Sequence, residues 1–303
     1  MPAASNTNDD PIYYTRLRKL SDAQLRERLS ASAEDVGCIV YAAAAGGSSA
    51  AQVTLGQMLL DGHGMRRDPE AASRWFGIAA AAGDPDGINM LGRCFENGWG
   101  GAVDRARAMN LFRKAAAKSH AWAQFNLGMM LMHDRGHLGD AAIALTLFVR
   151  SARQGNAKAM NMIGRFREFG WTCRVDLASS ERWSRRAAER GCFRGAAHLA
   201  RLLFERGRSS EAECWYRRSI AAAPVHFCRD LAAHLLAREH PALQGLAREA
   251  LRCAAEAGEA RDLFAYGCVL AQGLGGAVDR AEATVWLHRA QARGIPGALG
   301  ILT

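Results

Sequence analysis

One small-residue site returns along this chain at a fixed step of 36 residues: Gly56, Gly92, Gly128, Gly164 and then Ala200. A constant period of this length is the mark of stacked supersecondary units, each burying its apolar face on the next. Such an array grows in one dimension, so 303 residues need no second core, and a single solenoid is expected. Composition then selects the helical kind of array. Apolar residues make up 49% of the chain and aromatics only 8%, which suits close-packed helices better than strands rich in aromatic and β-branched side chains.

Around each anchor the same neighbours recur. In the first full repeat Ala51, Leu55 and Leu59 share one helical face, and Gly62 and Gly64 follow as a stop, which defines a helix A. Asp68-Pro69-Glu70 then places an N-cap oxygen, a φ-fixed first residue and a dipole-compensating acid in order, so a helix B begins there. The cap recurs at Asp104, Asp140, Asp176 and Asp279. Four residues further on comes a small side chain, at Ala72, Ala108, Ala144, Ser180 and Ala283. Three beyond that the spacing predicts the bulk that fills the interhelix space, at Trp75, Leu111, Leu147, Trp183 and Trp286. Small pairs such as Ala79-Ala80 and Ala115-Ala116 follow, and Gly83, Gly155, Gly191 and Gly294 end helix B.

Residues 1–20 read as a mobile polar tail and residues 21–50 as N-terminal capping helices, a degenerate repeat. There Ser21 and Gln24 have capping-box spacing, and Ser32 caps a helix over 33–45 that Gly46 and Gly47 end. Residues 51–303 form the array proper.

These residues resemble the Sel-one-like repeat (SLR) family, relatives of the tetratricopeptide repeats. The motif stands here as Leu55-Gly56, Gly62-His63-Gly64, Asp68, Ala72, Trp75, Ala79-Ala80 and Gly83, and the likeness covers residues 33–296. It implies an all-α fold, an α-α superhelix of about seven helix-turn-helix repeats, and adaptor or scaffold roles in bacteria with no shared chemistry. Departures are local. Between Ala200 and Pro224 the interhelix loop is about four residues shorter, with Ala212, Tyr216, Ser219 and Pro224 at the spacing of an ordinary tetratricopeptide repeat. Residues 225–258 are the least regular, with Leu231-Ala232 in the anchor place and Pro241 after a charged break.

The formal charge is +9, and all but four of the 39 basic residues are arginine. Both halves of the chain mix both signs, so the bias reads as a solvated face more than as a nucleic-acid footprint. The eight cysteines form no Cys-x-x-Cys pair and keep no place in the repeat, which argues against a disulfide framework. Residues 1–19 lack an apolar signal core, so a cytoplasmic location is expected. Some relatives in the resembled family carry paired cysteines in each repeat and are associated with a penicillin-binding or β-lactamase activity; those pairs are absent.

Catalytic and metal motifs are weak. His133 and His137 have the spacing of a helical metal pair but sit beside turn glycines, and His226, Cys228 and His234 lack a fourth donor, so no metal is assigned. Gly98-Trp99-Gly100-Gly101 and Gly273-Leu274-Gly275-Gly276 fall where helix A must turn into helix B and lack the Gly-Lys-Ser/Thr of a phosphate loop. No Gly-x-Ser-x-Gly occurs, no nucleophile pairs with a base, and no cofactor is implied.

The inner face is more informative. If helix A lines a concave surface, as the resemblance implies, positions three before and one after each anchor point into it. These bring Asn89 and Arg93, Phe125 and Met129, Asn161 and Arg165, and Arg201 forward as candidates for a partner-binding groove. Arginine suits bidentate carboxylate recognition, and Phe125 with Met129 adds an adaptable apolar patch. Glu96 and Glu168 stand where they can neutralise the arginines, which leaves a merely solvated face as the competing reading. The expected function is a non-enzymatic adaptor binding a protein or an acidic peptide. A hydrolytic enzyme of the SLR type and a nucleic-acid-associated regulator are the alternatives.

Overall fold

The computed structural model describes residues 33–134 and 138–302. The capping residues assigned to Ser21, Gln24 and Ser32, and His137 of the histidine pair, lie outside them. Among the described residues every α-helix follows the repeat: α1 (Ala33–Ala45), α2 (Ser49–Asp61), α3 (Pro69–Ala81), α4 (Pro85–Asn97), α5 (Arg105–Ala117), α6 (Ala121–Asp134) and α7 (Leu138–Arg153) form one compact unit that ends at Gln154. The second unit, from Gly155, holds α8 (Ala157–Phe169), α9 (Leu177–Glu189), α10 (Phe193–Glu205), α11 (Ser209–Ala222), α12 (Val225–Leu236), α13 (Pro241–Glu256), α14 (Ala260–Gln272) and α15 (Arg280–Ala292), closed by a 3₁₀ turn over Ala298–Leu302. No strand occurs among the described residues. Helices pack as consecutive A/B pairs, α2 with α3, α4 with α5 and α6 with α7, then α8 with α9 through α14 with α15.

Asp68, Asp104, Asp176 and Asp279 each accept the backbone N–H three residues on, at 2.8–2.9 Å, and so start α3, α5, α9 and α15. Asp140 departs from this column. Helix α7 already starts at Leu138, so Asp140 lies inside its first turn, where it still compensates the dipole. A second column escaped the sequence reading: Ser48, Asp84, His120, Asn156 and Cys192, again 36 apart, cap α2, α4, α6, α8 and α10 through an O, N or S acceptor. Ser119 takes a left-handed φ of 63° at the place of the helix-ending glycines.

The interhelix core lies one residue beyond the predicted bulk. On α3, α5 and α15 the fully buried stripe is small–large–small at i, i+4, i+7: Ala72, Phe76 and Ala79; Ala108, Phe112 and Ala115; Ala283, Leu287 and Ala290, each 0% exposed. Trp75, Leu111, Trp183 and Trp286 sit about 100° round the helix and are half-buried. Trp183 lies against the Arg186 guanidinium and Trp286 against the ring of Tyr266, so these tryptophans flank the seam instead of filling it. Leu147 is buried but yields the centre of the seam to Phe148. The anchor glycines explain the stripe. A Cβ at Gly56, Gly92 or Gly128 would stand 2.5, 2.7 or 2.8 Å from the ring of Phe76, Phe112 or Phe148, so the ring occupies the space that glycine leaves.

Loop glycines join neighbouring repeats. Gly100, with φ 74°, rests so close to α3 that a Cβ would meet the Pro69 carbonyl at 2.4 Å, and Gly275 meets the Gln244 carbonyl of α13 in the same way at 2.2 Å. Both Gly-rich stretches are turns between helices A and B. Polar side chains also tie one repeat to the next: Lys118 donates to the Gly83 carbonyl at 2.8 Å, His120 meets Asp86 at 2.8 Å, and Asn126 donates to Asn89 at 3.0 Å. The short loop foreseen after Ala200 is three residues, 206–208, and Pro241 opens α13 as its first residue.

Candidate functional site

The groove candidates divide between the two units. In the first, Asn89 on α4 is buried and engaged by Asn126, while Arg93 is half-buried with its guanidinium 4.7 Å from the Trp99 ring. On α6, Phe125 packs obliquely on Phe148 at 5.8 Å and half-buried Met129 follows one turn on. These residues lie on adjacent A helices, with the exposed Trp122 edge-on to Phe125 at 6.3 Å.

In the second unit Asn161, Arg165 and Arg201 line one groove of about 520 Å³, formed by α8, α10 and α12. Phe169, Phe227, Leu231 and Leu235 supply its apolar surface, and Asp230, His234, Arg194 and Arg238 complete its rim. The two arginines placed there from the sequence have different surroundings. Arg201 is saturated: it pairs with Glu168 and makes two bonds to Glu205, at 2.8 and 2.9 Å, and Glu205 also takes Arg238 at 3.0 Å. Arg165 is exposed and has no carboxylate partner among the described residues; its guanidinium faces Trp171 at 5.4 Å and Phe169 at 5.9 Å. Arg93 over Trp99 and Arg165 over Trp171 occupy the same two repeat positions. Arg194, not singled out from the sequence, resembles Arg165: it is exposed, lies 4.8 Å from the Phe193 ring and 5.5 Å from that of Phe227, and has no acidic partner among the described residues.

Beneath the groove runs a polar core that the sequence reading missed. Ser184 stands where the other repeats carry Phe76, Phe112 and Phe148, and the vacated space admits His198 from α10. His198 Nδ1 meets Ser184 Oγ at 3.0 Å and Asn161 Oδ1 at 3.3 Å, while Nε2 meets Glu168 Oε2 at 2.6 Å. Burial pushes the Glu168 carboxyl up, but His198 and Arg201 outweigh it and hold the group below the usual carboxylate range. This corrects the expectation that no nucleophile meets a base, because serine, histidine and glutamate do adjoin here. Ser184 is nevertheless 0% exposed, so its oxygen is not open to a substrate, and the arrangement is a packed polar network. Its signal in the sequence is the loss of a large side chain at one repeat position together with a histidine two before the next anchor.

An ion pair between half-buried Arg229 and a buried acid joins α12 and α14. Arg229 makes two 2.6 Å bonds to Asp262, whose residue is only 2% exposed, and a third contact to Glu259 at 2.7 Å. Among the described residues no three His, Cys, Asp or Glu side chains gather as a metal site. His226 and His234 are exposed while Cys228 is fully buried with its thiol donating towards the Ile220 carbonyl, so these three do not converge. No described helix is long and apolar enough to cross a membrane.

None of the eight cysteines is in a disulfide. Cys214 is exposed, whereas burial raises the Cys94 and Cys192 thiols, and burial beside Cys253 pushes Cys228 up to about 12. Because the thiolate is the reactive form, labelling of the native protein with an aromatic disulfide at neutral pH is expected to modify Cys214 first and Cys228 last. In denaturant all eight should react, and fewer than eight would reveal a disulfide.

A model of the Sel1 repeat matches residues 49–84, 85–120, 123–156, 157–192 and 260–294, more than half of the chain. The gap between the last two matches holds α10 to α13, where the loop shortens and the repeat is least regular. No curated protein matches the sequence at a significant level. Among solved structures the chain is similar to a protective antigen of uropathogenic Escherichia coli strains displaying an SLR fold, with 26% identity and a TM-score of 0.56 over 96% of this chain. It spans 66% of that protein's length, just under two thirds. It is also similar to a Sel1 repeat protein from Oxalobacter formigenes, with 21% identity and a TM-score of 0.52, over 80% of this chain and 85% of the other. The repeat matches and the seam of small and large residues agree, and the chain belongs to the Sel1 repeat family.

Proposed function

We propose that this chain is a non-enzymatic adaptor that holds a protein or an acidic peptide against its A helices, in a bacterial signalling or regulatory setting in the cytoplasm. The observation that carries the reading is the groove on α8, α10 and α12, where exposed guanidiniums stand beside apolar side chains without acids of their own. Repeat proteins of this kind generally act by binding other proteins, and a concave, partly apolar groove with a few convergent polar groups is where such binding concentrates. Asn89, Arg93, Phe125 and Met129 belong to the proposed contact surface of the first unit. Asn161, Arg165 and Arg201 belong to that of the second, Arg201 as a residue already tied to Glu168 and Glu205.

The test is co-purification of partners followed by a binding measurement on the Arg165→Glu, Arg194→Glu double variant. Reversing two exposed charges should weaken the partner by at least about tenfold while the helical circular dichroism stays unchanged. Arg201 is the poorer choice for reversal, because a new acid there would face Glu168 and Glu205 and disturb the fold itself. Undiminished affinity in the double variant would move the contact to another face.

A further inference from the structure

Resting on the groove reading, we infer that the second unit selects a linear peptide with two acidic side chains three to four residues apart, flanking a short apolar stretch. Four arginines line this groove, and their partners sort them into two classes. Arg201 is paired with Glu168 and Glu205, and Arg238 is paired with Glu205 through one bond, so each already has a carboxylate of the protein as its partner. Arg165 and Arg194 have aromatic faces as their neighbours, Phe169 and Trp171 for one, Phe193 and Phe227 for the other. An aromatic ring attracts a guanidinium without taking its N–H donors, which stay available to a carboxylate in bidentate fashion.

Their separation sets the spacing of the ligand. The two residues stand on adjacent A helices, α8 and α10, whose axes lie about 8–10 Å apart when packed. Along the axes, His198 spans Asn161 and Glu168 of α8, which brackets the level of Arg165, and Arg194 lies one turn before His198. Aligning the repeats residue for residue instead places the two arginines two turns apart. One to two turns of rise combined with the interaxial distance give about 10–15 Å, the reach of roughly three to four extended residues. The rest of the groove is mixed in character: Ala197 of α10 and Leu231 of α12 are apolar, Asp230 of α12 is an exposed acid, and Glu168 of α8 also lines it. A contiguous acidic run would add carboxylates to a groove that already holds Glu168 and Asp230, whereas two acids separated by apolar side chains bring only the charges that the two arginines take.

The experiment uses the full chain and fluorescein-labelled peptides, acetylated and amidated so that no terminal carboxylate contributes. Anisotropy compares Glu-Leu-Gly-Leu-Glu with the same peptide carrying Gln for both Glu, with acids moved to adjacent positions, with acids eight residues apart, and with five consecutive Glu. The first should bind about tenfold or more tighter than each of the others, since a charge-assisted pair lost at either end costs at least that factor. Arg165→Gln and Arg194→Gln, both at exposed positions, should each remove most of this preference. Equal binding of the adjacent-acid or all-Glu peptide would overturn the spacing rule while the groove itself stands. If no peptide binds, yet a co-purified partner is still weakened by the charge-reversed double variant, this inference falls and the groove reading survives. Loss of neither would end both.

Discussion

The Phe112→Ala protein is expected to lose about 3–5 kcal/mol of stability, the cost of emptying a fully enclosed aromatic site. Phe112 is 0% exposed and its ring occupies the place that a side chain at Gly92 would need. Helix α5 has no other group to refill the space, because Ala108 and Ala115 flank it at the same depth. Leu111 next to it is the instructive control: half-buried on the flank of α5, it should cost roughly 1–2 kcal/mol when cut to Ala. Urea denaturation followed by circular dichroism measures both. Equal losses at the two positions would show that the seam is misplaced by one residue, as the spacing of the tryptophans alone suggests.

A comparable loss, about 3–5 kcal/mol, is expected for Arg229→Met, which strips the counter-ion from a carboxylate that water barely reaches. The sharper part of this prediction is its reversal. Adding Asp262→Leu removes the stranded charge, and the double variant should return to within about 1 kcal/mol of the parent, since apolar replacement of a whole buried pair is often neutral or better. A double variant as unstable as the single one would mean that the pair holds α12 to α14 by geometry that no apolar contact reproduces.

How much of this was legible in the sequence depends on whether a repeat position keeps one residue type. The Asp column at Asp68, Asp104, Asp176 and Asp279 could be read because a short carboxylate at an N-cap has few substitutes, and the structure returns each as a cap. The second column at Ser48, Asp84, His120, Asn156 and Cys192 stayed hidden because five different acceptors do the same work there. Trp75 and Trp286 drew attention by size, yet the seam follows the i, i+4, i+7 line from the small residue, which passes through Phe76 and Leu287. Groove positions could be enumerated from the anchor, but their electrostatic state could not. Whether Arg201 is free or bound depends on Glu168 and Glu205, one of which lies 33 residues away, and Ser184 became meaningful only once His198 was seen to occupy its space.

The tie from one repeat to the next has a consequence for how such a chain changes length. Lys118 to Gly83, His120 to Asp86 and Gly100 against Pro69 each close over one repeat length or less, and within the first unit the contact of anchor glycine with aromatic ring recurs at Gly56, Gly92 and Gly128. A duplication or excision that begins and ends at equivalent positions rejoins a helix-ending turn to a capping residue and an anchor glycine to an aromatic ring. The gene can therefore be lengthened or shortened in whole cassettes without inventing a new interface, whereas a cut at any other length sets unlike surfaces together.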